Sequence, residues 1–334
     1  MWLDALRGIG ILLVLLAHNN PPFIRFIFGF HMPLFYALSG YLFKETTINR
    51  KPFDQIKRLL MQYIVPYLIL CFANLILHLL HIAAVVPDHK IPFDQIPGYL
   101  VGILLADGDR MPQCSPLWFL VSLAISLFLF YLIRKVSFAG IRAVILIIAA
   151  ALTFFLFRDG ENMLPFALHT VCPALLFLEA GYLLKRANFP ERIARIVEFC
   201  AMLVFLALGY VLIRFNPVNP WVDISKARFG ELQFTIPGAV LLIASCMLAC
   251  YLLDQTIPVI LKPFSLIGRH TIFLLAFDEV SNALGGSVLQ HFLPAWEWYI
   301  SFAIRSLILA VLFLLWQLMR SLIPSERIRK LLDY

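Results

Sequence analysis

MWLDALRGIGILLVLLAH, residues 1–18, is an apolar run that nearly matches the width of a bilayer and yet carries an acid, a guanidinium and an imidazole within its own hydrophobic pattern. Roughly 20 mostly apolar residues in helical form cross the hydrocarbon core. The run has no basic leader and no small-residue cleavage site, so it reads as a first span and not as a removable signal peptide. Asp4, Arg7 and His18 stand at offsets of 3 and 11. Eleven steps of about 100° return nearly to the starting direction, so the three face one interior. A rise of about 1.5 Å per residue separates Arg7 from His18 by on the order of 16 Å, so the two serve different parts of one ligand or channel. The alternative is an interfacial Asp4–Arg7 ion pair with His18 capping the outer helix end.

The rest of the chain repeats the pattern. Hydrophobic residues make up 61% and charged residues 14%, far from the composition of a soluble domain. Breaks at Pro, Gly and charge clusters divide the chain into ten expected spans: about 3–19, 25–43, 60–84, 116–133, 141–157, 163–184, 197–215, 234–253, 266–288 and 298–322. The expected fold is a polytopic, all-α integral membrane bundle forming one domain over residues 1–334.

The even-numbered connections and the tail carry 17 basic residues, among them Lys44, Arg50, Lys57, Arg58, Arg134, Lys185, Arg192, Lys262, Arg327, Arg329 and Lys330. The opposite set has 7: Arg25, Lys90, Arg110, Arg158, Arg214, Lys226 and Arg228. By the positive-inside rule both termini are cytoplasmic. Orientation and anionic lipid then account for the net charge of +7, and no nucleic-acid partner is called for. The long connections around 85–115 and 214–233 fall outside and hold aromatics such as Tyr99 and Trp221, suited to a polar ligand.

Ionisable groups inside spans are costly and mark function or a buried pair. His18 has the side chain most often used as a general base near neutral pH. In the second span Pro33 is expected to kink the helix and Gly40 to permit close helix approach. His31 reads equally as a site residue or a hydrogen-bonded packing residue, and Ser39 as a helix–helix hydrogen-bonding group. Glu179, Asp278, Glu279 and Arg305 complete the intramembrane set, with pairing among them as open as catalysis. Asn74, His78 and His81 share a stripe without the carboxylate or Cys that a zinc site requires, and no metal is expected. The six cysteines lack CxxC spacing and read as packing residues.

Asp4-Ala-Leu-Arg7-Gly8 followed by His18, then Phe30-His31-Met32-Pro33-Leu34-Phe35 and Leu38-Ser39-Gly40-Tyr41-Leu42, resembles the opening of the membrane-bound acyltransferase 3 family. Its sugar O-acetyltransferases, the fucose 4-O-acetylase-like group, are nearest in character. Lys57-Arg58 ahead of Pro66-Tyr67, Pro116-Leu117-Trp118-Phe119-Leu120, and Ile267-Gly268-Arg269-His270-Thr271 extend the likeness over most of the chain. The resemblance implies a ten-helix core, a cytoplasmic acyl-CoA donor, and acceptors that are surface glycans or their lipid-linked precursors. It also implies that His18 and Arg7 match the essential residues. Two positions depart from the pattern: Gln62 or Tyr63 stands where many relatives have a second Arg, and Asp278 where many have His.

Together these readings give an O-acetyltransferase of the bacterial cytoplasmic membrane that uses acetyl-CoA. His18 is the base, acting directly or by carrying the acyl group, with Arg7 and Asp4 beside it in the catalytic set. Arg7, Lys57, Arg58 and Arg269 hold the donor; His31, Ser39, Tyr41 and Trp118 contact the acceptor. The competing classes are a transporter or flippase and a glycan polymerase, although no internal repeat of the transporter kind is present.

Overall fold

The computed structural model describes residues 1–85, 93–157, 160, 163–191, 195–292 and 297–322, and among these residues the protein is built of helices with no strand beyond one isolated bridge, Asp223 to Arg228. In chain order the helices are α1 (Trp2–Ala17), α2 (Ile24–Phe28), α3 (His31–Tyr41), α4 (Pro52–Leu59), α5 (Val65–Val85), α6 (Ile96–Leu105), α7 (Trp118–Lys135), α8 (Ala139–Leu156), α9 (Val171–Arg186), α10 (Arg195–Phe215), α11 (Leu232–Thr256), α12 (Pro258–Gly268), α13 (Thr271–Phe292) and α14 (Trp298–Leu322). A π-helical turn, Leu60–Ile64, joins α4 to α5.

Seven helices among the described residues are long and apolar enough to cross a membrane, or eight if the bent pair α12 and α13 counts as one span. Burial separates inner from outer helices. The apolar window of α7 is 78% buried, those of α8 and α10 only 11% and 17%. Exposed apolar side chains such as Phe155 on α8 and Ile196 on α10 therefore form the lipid face. The protein is an integral membrane protein on this evidence.

Several boundaries differ from the sequence reading. The second expected span is broken between α2 and α3, and α3 has only 11 residues. Pro33 is the third residue of α3, where its missing N–H has no helical acceptor to satisfy, so it opens the helix and kinks nothing. The third span starts earlier, at Pro52, and α6 lies inside the stretch read as an outer loop. The penultimate span is bent by 70° between Gly268 and Thr271, and α12 occupies what was read as a connection carrying Lys262. Its apolar run is short and holds Pro258 and Pro263, which hid it; Pro258 at the first helical position starts a helix readily. Helix α1, at 16 residues, and α3 are short for spans, and both pack against other helices.

Two close crossings fix the interior, α1 against α12 and α3 against α9. A Cβ on Gly8 would overlap the Phe264 carbonyl, and one on Gly268 the Asp4 carbonyl. At the other crossing Gly40 faces the Leu178 carbonyl and Gly181 the Ala37 carbonyl. Backbone atoms cannot step aside as a flexible side chain does. Gly8→Val and Gly181→Val are thus expected to destabilise the fold by at least the ~1–3 kcal/mol typical of overpacking. Gly98→Ala, in α6 with open space around it, should be neutral or slightly stabilising. Thermal unfolding in detergent checks the contrast, and equal melting of Gly98→Ala and Gly8→Val would remove the explanation.

Candidate active site

The last turn of α1 delivers His18 to a point where α13 and α14 meet it. Its Nδ1 pairs with Asp278 Oδ2 in a short contact. Asp278 Oδ1 accepts from Arg305 at 2.8 Å, and Arg305 also donates to the His18 carbonyl at 3.0 Å. Asp278 and Arg305 are buried, at 1% and 3% exposure. One carboxylate therefore bridges the imidazole and the guanidinium, with Nε2 as the remaining ring nitrogen of His18. Neighbouring bonds fix the frame: Asn19 accepts from Ser301 at 2.6 Å, and Asn74 donates to the Ala276 carbonyl at 2.6 Å, tying α5 to α13. Asp278 stands where relatives were expected to carry His, and here it is the residue that orients His18.

His18 and Arg305 line a cavity of about 160 Å³ whose other polar walls include His31, Ser115, Glu279 and Asn282. Glu279 accepts from the Ser115 backbone N–H at 2.8 Å and so fixes the turn that carries Trp118, which also lines the cavity. His31 is buried; its Nδ1 lies 2.9 Å from the Ile27 carbonyl and its ring meets Phe28 edge-on. His18, His31 and Trp118 are thus brought together, while Ser115, Asp223 and Ser225 had no sequence signal beyond lying near loops, and Asn282 none beyond being a polar residue within a span.

Below this cavity a narrow apolar pocket of about 40 Å³ shares the walls Val14, Met32 and Leu275 with it. It reaches Ile11, one helical turn from Arg7, and Thr271, two residues from Arg269. At that end Asp4 holds two cations: Arg7 donates to Oδ1 at 3.2 Å and Arg269 Nε lies 3.6 Å from Oδ2. Both guanidiniums stay partly open, Arg269 at 65% exposure.

The remaining expected site residues lie apart. Helix α3 runs from His31 beside the cavity to Tyr41 at the opposite end, where the Tyr41 ring packs on Trp2 and its hydroxyl donates to the Phe189 carbonyl at 2.8 Å. Ser39 Oγ donates to the Phe35 carbonyl one turn back, at 2.7 Å. Neither reaches the His18 cavity, because eight and ten residues of helix separate them from His31. Lys57 and Arg58 are exposed on α4 and make no ion pair with Asp4 among the described residues. Glu179 pairs with Arg134, whose guanidinium also lies 4.0 Å over the Tyr182 ring, so this acid serves packing between α7 and α9.

A partly buried histidine, held by a buried carboxylate and arginine, opens on a polar cavity inside the helical bundle, an arrangement able to carry acid–base chemistry. The family model described as an acyltransferase domain, Acyl_transf_3, matches residues 1–316, and the chain belongs to that acyltransferase 3 family. It is a membrane acyltransferase. No curated protein and no solved structure matches the chain.

Proposed function

We propose that the protein moves an acetyl group from cytoplasmic acetyl-CoA to a hydroxyl of a surface glycan or its lipid-linked precursor, in the bacterial cytoplasmic membrane. The observation that carries this reading is that the polar His18 cavity shares the walls Val14, Met32 and Leu275 with an apolar pocket whose residues Ile11 and Thr271 stand one helical turn from Arg7 and two residues from Arg269. A CoA thioester has anionic phosphates at one end and a reactive carbonyl at the end of a long, thin arm. Guanidiniums suit the phosphates, and a narrow apolar pocket beside the cavity suits the thin arm. The distance of on the order of 16 Å between Arg7 and His18 then becomes the reach of the donor.

In the reaction, His18 Nε2 takes the proton of the acceptor hydroxyl as its oxygen attacks the thioester carbonyl. The C–O bond forms, the C–S bond breaks, and His18 returns the proton to the departing CoA sulfur. Asp278 holds the Nδ1–H, steadying the imidazolium formed in between, and Arg305 holds Asp278.

Label from radioactive acetyl-CoA appearing in glycan, with stoichiometric release of free thiol, tests the reading; thiol release with no labelled glycan would reject the acceptor, and no thiol release would reject the donor. Arg7→Gln and Arg269→Gln are expected to raise the donor KM while leaving acceptor dependence alone. Lys57→Gln and Arg58→Gln extend the same test to the two basic residues on α4, which are proposed to assist at the donor entrance. Unchanged donor KM in all four variants would remove the assignment.

The orientation is proposed with it. Arg134, Lys135, Lys185 and Arg186 end α7 and α9, and Lys185 Nζ lies 4.9 Å over the Tyr41 ring, on the Arg7 side of the molecule. Lys90, Arg158, Arg192, Arg327, Arg329 and Lys330 lie outside the described residues. Single cysteines at Asp107 and Trp221 in a Cys-free background should react with an impermeant thiol reagent on intact cells, and one at Arg50 should not. The reverse pattern would invert the protein and the reaction.

A further inference from the structure

A second trough, of about 220 Å³, adjoins the His18 cavity and shares Ser115, Trp118 and Ser225 with it. No step of the transfer uses it. Its apolar walls are Leu105, Met163, Leu164 and Pro165, of which Met163 and Leu164 are about two-fifths exposed. Its rim is made of paired charges: Arg110 with Asp107 at 3.3 Å, and Lys226 with Asp109. We propose that this trough is a subsite for the neighbouring sugar of the acceptor, so that the enzyme acts on a saccharide of at least two units. The proposal rests on the glycan reading above.

Size is the first support. Each compartment falls below the ~300 Å³ at which small-molecule pockets begin, and together they exceed it. A single acceptor spanning both is therefore the natural occupant. Chemistry is the second. A saccharide presents apolar C–H faces and a hydroxyl edge, which match the apolar walls with Trp118 at the junction and the charged rim. Arg110 and Asp109 are about three-fifths exposed, and ion pairs so exposed are weakly held, leaving their donors and acceptors free to turn to hydroxyls.

The third support is a buried histidine that the transfer does not need. His169 accepts from the Leu164 N–H at 3.2 Å through Nδ1, and its Nε2 donates to the Ser225 carbonyl at 3.0 Å. It thereby clamps the trough wall at Leu164 to Ser225 at the junction. Glu279 clamps Ser115 from the other side, so the wall shared by the two compartments is fixed before any ligand arrives. Such preorganisation lowers the cost of binding an extended ligand.

The probe is a ladder of oligosaccharides of one to six units, prepared by de-O-acetylation and partial acid hydrolysis of the source cells' surface polysaccharide. With labelled acetyl-CoA and purified protein, kcat/KM is expected to rise about tenfold or more from one unit to two and then to level off. Met163→Trp, which fills the trough from its exposed side, should bring the two-unit to one-unit ratio close to one. Phe155→Trp, on the lipid face of α8, should keep the wild-type ratio. Equal kcat/KM for one and two units, or a wild-type ratio in Met163→Trp, would overturn the subsite and leave the glycan reading standing. Transfer to no member of the ladder would overturn both.

Discussion

Replacing His18 by alanine is expected to lower acyl transfer by ~10²–10⁴-fold while the protein stays folded and binds CoA. The expectation follows from where the two ends of the first helix lie. His18 faces the polar cavity with 30% of its side chain accessible, and truncating it keeps the backbone carbonyl that Arg305 bonds. Asp278 keeps Arg305 as a partner, so no buried charge is stranded. The cations near Asp4 stand on the order of 16 Å away along the same helix and are untouched. Calorimetry of CoA binding in detergent and thiol release in the presence of acceptor separate the two functions. Near-normal turnover in His18→Ala, or loss of CoA binding with the loss of turnover, would return His18 to packing or donor binding.

What was legible in the sequence was local. Asp4, Arg7 and His18 share one helix, so their common face and separation followed from helical geometry alone, and the structure ties Asp4 to Arg7 as that spacing allows. Asp278 and Arg305 were singled out as ionisable groups in spans, but their partner His18 lies 260 residues from Asp278, and no periodicity reports a register between helices so far apart in sequence. Ser39 and Tyr41 were grouped with His31 because they are close in sequence. On a helix of 11 residues, ten residues are the distance between its two ends. The bend at Arg269 and His270 escaped notice because this polar break was read as the entrance to one span, with the short α12 before it taken for a connection, and α6 because ten residues cannot cross a bilayer and so give no span signal.

Asp278 should separate stability from catalysis. In Asp278→Ala, Arg305 keeps, among the described residues, only the carbonyls of residues 18 and 278 in a site where it is 3% exposed, and its Nε has no hydrogen-bond partner among them even in the native protein. Stranding one member of a buried ion pair costs about 3–5 kcal/mol. A pronounced loss of thermal stability in detergent is the expected result. Removing both charges, as Asp278→Ala/Arg305→Leu, should recover much of that stability, because the desolvation penalty of the pair disappears with it. Activity should not return, since nothing then holds the imidazole. Asp278→Asn gives the complementary case. The amide has the shape of the carboxylate and its oxygen can still accept from Arg305, so the fold should survive largely intact. Its NH₂ group, however, can only donate to His18 Nδ1, which puts the ring proton on Nε2 and leaves no lone pair for the acceptor hydroxyl. Turnover in Asp278→Asn should fall by ~10²–10⁴-fold with donor KM unchanged. If Asp278→Asn retains most of its turnover, the carboxylate does not set the tautomer of His18; if Asp278→Ala melts like the wild type, Arg305 does not depend on it, and the bridge between them is incidental to both stability and chemistry.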